Sequence, residues 1–101
     1  MKTILVVEDD PRIQKALTRL FASEGYEIQI AADGQAGLAA SRTVKPAAVV
    51  LDLMLPGING RDLCRLMKEG QPETPVIILS AVSEVADKVL LLELGAVVYV
   101  T

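Results

Sequence analysis

The sequence predicts a doubly wound α/β domain built on a parallel sheet. Three features carry that prediction: short aliphatic runs without alternation, segments of helical period between them, and polar groups where several runs end. Ile4–Val7, Ala48–Leu51, Val76–Leu79 and Val97–Val100 are apolar at nearly every position, as strands covered on both faces must be. Glu27–Ala31 alternates instead, as an edge strand would. After the first run, Ile13, Leu17, Leu20 and Phe21 recur at helical spacing, opened by Pro11 and stopped by Gly25. A short helix rich in small residues is expected over Gln35–Arg42, after which Lys45 before Pro46 reads as a solvated loop. Arg61–Glu69 is expected to turn Leu63, Leu66 and Met67 inward, and Glu84–Leu94 to end at Gly95. Strands alternating with helices, joined by right-handed crossovers, give a sheet with helices on both sides.

Composition narrows the chemistry. With 101 residues, 51% hydrophobic and 23% charged, the chain has the make-up of one soluble domain. A formal net charge of −3 gives no basic footprint for nucleic acid, and no apolar stretch reaches the length of a membrane span. The single cysteine, Cys64, rules out an intrachain disulfide, which suits the cytoplasm, and reads as a small buried hydrophobe. There is no histidine, so histidine-ligated zinc and Ser-His catalysis are excluded. Carboxylates, hydroxyls and lysines must carry any chemistry.

The carboxylates gather at one edge. The first strand runs into Glu8, Asp9 and Asp10, the third into Asp52, and the fourth into Ser80. In sheets of this kind, sites form at the carboxyl ends of strands. If the first and third strands are neighbours, as in a flavodoxin-like order, Asp52 faces Glu8 and Asp9. Carboxylates held that close must take up protons or bind a cation, and a hard divalent ion such as Mg²⁺ is the natural partner. Acidic strand ends also occur simply because they meet solvent and precede helix N-termini, and Asp10 before Pro11 reads as such an N-cap.

The segments ILVVEDD, VVLDLMLPGINGRDLCR, PVIILSA and LELGAVVY closely resemble, in order and spacing, the receiver domain of bacterial two-component response regulators, most of all those joined to winged-helix DNA-binding domains. The resemblance covers residues 3–101 and implies a five-stranded parallel sheet of order 2-1-3-4-5. It implies that Asp52 accepts a phosphoryl group from a histidine kinase. Mg²⁺ would be held by Asp9, Glu8, Asp52 and the main-chain carbonyl of Met54. Ser80 and Tyr99 match the switch hydroxyl and switch aromatic. The implied role is a cytoplasmic signalling switch, not a turnover enzyme, whose output is transcription regulation by a DNA-binding domain outside this chain.

Two departures accompany the resemblance. The family places a lysine just after the fifth strand, followed by proline and a fifth helix, whereas the sequence reads only to Thr101; the expectation is a receiver domain over 1–101 without that lysine and helix. Val97 and Val98 stand where the winged-helix class carries acids. Both leave open a pseudo-receiver or fragment that serves only as an interaction module. An aspartate-nucleophile phosphatase would need a second aspartate where Met54 stands, and no Walker A pattern is present. At ~100° per residue, Val85, Val89 and Leu92 share a helix face while Leu91 falls between Asp87 and Lys88. With Val97, Val98 and an uncovered sheet face, this predicts self-association through an apolar surface.

Overall fold

A computed structural model describes residues 2–52, 55, 59–80 and 97–100, with positions 79, 80 and 97–100 described by backbone alone. The expected helix Glu84–Leu94 and its stop at Gly95, and the carbonyl of Met54, lie outside the described residues.

The elements run β1 (Thr3–Val7), α1 (Pro11–Ser23), β2 (Glu27–Ala31), α2 (Gly34–Val44), β3 (Ala48–Asp52), α3 (Gly60–Gly70), β4 (Val76–Ser80) and β5 (Val97–Val100). All pairings are parallel and the strand order is β2-β1-β3-β4-β5. The order places β1 beside β3 and puts the alternating strand β2 at the edge.

Alternation along each strand sorts the core into two layers. Leu5 and Val7 of β1, Val49 and Leu51 of β3, and Val76 and Ile78 of β4 face α2 and α3, where Leu63, Cys64 and Met67 meet them. Ile4, Val6 and Val50 face the other way, against Leu17 and Phe21 of α1. Because β1 and β3 are covered on both faces, their aliphatic runs need no polar alternation. Each fully buried Leu, Val or Ile contributes about 1.5–3 kcal/mol. On α3, Leu63, Cys64 and Met67 are buried as expected, whereas Leu66, also expected inward, is only half-buried. The stripe that faces the sheet follows Leu63, Cys64 and Met67, and Leu66 falls at its margin.

Side chains set the helix ends. Asp10, Asp33 and Asn59 are the N-caps of α1, α2 and α3, accepting from the backbone N–H of Arg12, Ala36 and Arg61 respectively. Pro11 opens α1, and Gly25, at φ 89°, turns the chain toward β2. Lys45 is exposed, as expected, but it also caps α2 in the left-handed region at φ 51°.

Gly37 of α2 lies so close to β1 that an added Cβ would sit 2.7 Å and 2.8 Å from the two methyls of Val7. Val7 is fully buried and has no room to yield. Gly37→Ala is therefore expected to destabilise the domain by about 1–2 kcal/mol despite alanine's better helix propensity. Gly70→Ala meets nothing within 4 Å and should be neutral or slightly stabilising. Urea denaturation of the two variants side by side checks the contrast.

Candidate functional site

The site is built where β1 and β3 end. The register pairs Val7 with Leu51, so Glu8 follows beside Asp52. Glu8, Asp9 and Asp52 each offer a carboxylate oxygen, and these oxygens lie within 4.8 Å of one another. The three differ in exposure: Glu8 is 2% exposed, Asp9 is open to solvent and Asp52 is intermediate.

Glu8 is the unusual member. Its backbone N–H donates to the carbonyl of Ala31 at 3.0 Å, continuing the β1–β2 ladder by one residue. Its side chain folds back, so that Oε1 accepts from the backbone N–H of Asp10 at 3.0 Å. Burial pushes the Glu8 carboxyl up to about 7; the Asp10 N–H opposes this, while the charge of Asp52 and hydrogen bonding to the Asp9 and Asp52 carboxyls reinforce it. A buried carboxyl lacking a cation holds its proton toward neutral pH, and a cation there would release it. The donor set therefore fits a hard, oxygen-liganded divalent ion such as Mg²⁺.

Asp10 does not belong to the cluster. Its carboxylate caps α1 and pairs with the exposed guanidinium of Arg12 at 3.2 Å, which holds it below the usual carboxylate range. It thus takes the N-cap role that its place before Pro11 implied.

The backbone register places the two expected switch residues nearby. Asp52 pairs with Leu79, so Ser80 is the next residue along the neighbouring strand. Tyr99 pairs with Leu79 from the far side of β4. Their side chains lie outside the described ones.

One contact has no counterpart in the sequence reading. Nε2 of Gln14 donates to the main-chain carbonyl of Glu8 at 2.6 Å. The available signal was its position: it lies one helical turn after the N-cap Asp10, just beyond the strand end. Gln14 also lines an open groove of about 390 Å³ with Lys15, Thr18, Arg19 and Ile30, apart from the three acids.

Comparison with known proteins agrees with this geometry. The profile of the response regulator receiver domain family matches residues 4–101. The DNA-binding response regulator MtrA of Mycolicibacterium smegmatis is 43% identical over 97 residues, covering 96% of this chain and 42% of MtrA. The alkaline phosphatase synthesis transcriptional regulatory protein PhoP of Bacillus subtilis is 40% identical over 100 residues, covering 99% of this chain and 42% of PhoP. The chain thus spans less than half the length of these relatives. Among solved structures, the CheX-CheY-BeF₃-Mg²⁺ complex of Borrelia burgdorferi contains a chain that superposes with a TM-score of 0.92 at 28% identity, covering 99% of this chain and 78% of that one. Sheet order, acidic strand ends and sequence similarity over nearly the whole length lead to one conclusion: the chain belongs to the response regulator receiver domain family.

Proposed function

We propose that residues 1–101 form a receiver domain that accepts a phosphoryl group on Asp52 from a histidine kinase, in the presence of Mg²⁺, and acts as a switch. The observation that carries this reading is the convergence of Glu8, Asp9 and Asp52 within 4.8 Å at the carboxyl ends of adjacent parallel strands. In the transfer, a carboxylate oxygen of Asp52 attacks phosphorus while the bond from phosphorus to the donor's imidazole nitrogen breaks, and the imidazole leaves with the electron pair. Glu8, Asp9, Asp52 and the main-chain carbonyl of Met54 would hold Mg²⁺, whose charge, when it is bound, offsets the repulsion between an anionic donor and three acids.

Ser80, at the end of the strand beside Asp52, is assigned to donate a hydrogen bond from its hydroxyl to the phosphoryl group on Asp52, and Tyr99 to respond as the switch aromatic. This is a stoichiometric switch in place of a turnover enzyme. By analogy with the relatives named for DNA binding and transcription regulation, the output is transcriptional and lies in a further domain. Among the described residues no helix is long and apolar enough to cross a membrane, and we place the protein in the cytoplasm. The domain itself contacts no nucleic acid in this reading.

The metal assignment is tested by titration. Asp9→Asn removes one ligand charge and should weaken Mg²⁺ binding at least about tenfold. Equal affinity in this variant would remove Asp9 from the site.

Self-association through an apolar surface is the second expected property. The face expected for it, the helix Glu84–Leu94 with the side chains of Val97 and Val98, lies outside the described residues. Among the described ones, Ile13 and Leu20 of α1 are 39% and 55% exposed, and Tyr26, edge-on to Phe21, is 37% exposed. An apolar contact between copies should persist at high salt, unlike one held by surface ion pairs. Sedimentation at micromolar concentration checks it: a clean monomer at both low and high salt would refute this property.

A further inference from the structure

We propose that Gln14 is a positioning residue for the acidic site, acting through the main-chain carbonyl of Glu8 to orient the peptide that carries Asp9. The inference rests on the reading of Glu8, Asp9 and Asp52 as the metal and phosphoryl site.

The strand β1 ends at Val7, and the last sheet-like bond beyond it is the Glu8 N–H to the Ala31 carbonyl. From there the chain must turn, place Asp9 and enter α1 within three residues. The N–H side of Glu8 is tied to the sheet, and its carbonyl is tied by Nε2 of Gln14 at 2.6 Å. Gln14 is itself anchored at both ends of its backbone. Its N–H donates to the Asp10 carbonyl at 3.0 Å, and its carbonyl accepts from Thr18 Oγ1 at 2.7 Å. The side-chain amide thus closes a ring from the end of β1 to the first turns of α1, with Asp9 inside it.

Water could replace the amide as a partner for the Glu8 carbonyl, but water has no fixed direction. Ordering a glutamine side chain costs conformational entropy. What the amide adds over water is orientation of the Glu8–Asp9 peptide plane, and hence of the exposed Asp9 carboxylate relative to the buried Glu8. A ligand set for a small hard cation tolerates little displacement, so this orientation should be read out in metal affinity more than in folding.

The test uses Gln14→Met, which keeps length but removes the donor, and Gln14→Glu, which keeps shape but as a carboxylate cannot donate. Folding is followed by thermal denaturation, Mg²⁺ affinity by titration well below the melting temperature, and the turn by the backbone amide NMR shifts of Asp9 and Asp10 without metal. Gln14→Met should bind Mg²⁺ about 3–10-fold more weakly, melt within a few degrees of the parent, and shift both amides. Gln14→Glu adds a negative charge near a cation site, so electrostatics alone would tighten binding. Positioning instead predicts affinity no better than the parent. Parental affinity and unshifted amides in Gln14→Met, or tighter binding in Gln14→Glu, would overturn the assignment. Asp9→Asn is the control: unchanged affinity there would overturn the metal reading itself, and the Gln14 inference with it.

Discussion

Replacing Asp52 with Asn is expected to abolish covalent phosphorylation completely. Incubation with acetyl phosphate and Mg²⁺, followed by intact-mass spectrometry, should show one phosphoryl group on the parent and none on the variant. An amide oxygen is a poor nucleophile toward phosphorus, and among the described residues no other acid combines the position and neighbours of Asp52. Asp10 is bound to the N-terminus of α1 and to Arg12. Glu8 is buried and spends one oxygen on the Asp10 N–H. Asp9 alone is open to solvent, so persistent label in Asp52→Asn would move the acceptor there. Asn keeps the volume of Asp, and the variant should fold as the parent does.

The second large effect is on stability against pH, and Glu8 causes it. Its carboxyl titrates near 4.5 in an unfolded chain and is raised to about 7 in the fold. Below about pH 4.5 both states hold the proton and Glu8 carries no penalty. As the pH rises from there, the unfolded chain gives up the proton first, so folding stability declines until the folded carboxyl also ionises near pH 7. Above that the loss is constant, amounting to up to about 3 kcal/mol. The direction is opposite to that of a salt-bridged carboxylate, because burial here penalises the charged form.

Metal-free chain should therefore be more stable to urea at about pH 5.5 than at about pH 8, where Mg²⁺ should restore much of the difference by binding the folded state alone. Glu8→Gln mimics the protonated side chain, since its amide oxygen still accepts from the Asp10 N–H and its NH₂ can face the other two acids. It should flatten the pH dependence, exceed the parent in stability at about pH 8 without metal, and lose most of the response to Mg²⁺. A parent whose stability does not fall between these pH values would show that Glu8 is already ionised in the metal-free fold.

The elements were legible because each depends on local pattern. Glu27–Ala31 alternates and is the edge strand; Ala48–Leu51 does not alternate and is central. The helix opened by Pro11 begins at that residue, and the chain turns at Gly25 as expected. Strand ends in the sequence also point to the gathering of Glu8, Asp9 and Asp52, since the carboxyl ends of strands in such sheets share one edge. Leu66 shows the limit of periodicity: residues at the margin of a helix stripe are assigned inside or outside by the neighbours they meet, and those neighbours are distant in sequence. Lys45 shows another, because its left-handed backbone depends on how α2 must end to bring the chain back into β3.

By itself the sequence determined the order of the described strands and helices along the chain, the start of α1 at Pro11 and the turn at Gly25, and the family. These follow from the period of apolar residues, from capping and turn chemistry, and from motifs read in one dimension. Only the tertiary structure decided which of the acids is buried and raised, that Gln14 reaches back to the carbonyl of Glu8, and that Gly37 must be glycine to clear Val7. The physical reason is common to all three. Desolvation, hydrogen-bond geometry and van der Waals contact depend on distances between segments, and those distances exist only once β1 is laid between β2 and β3 with α1 and α2 on its opposite faces.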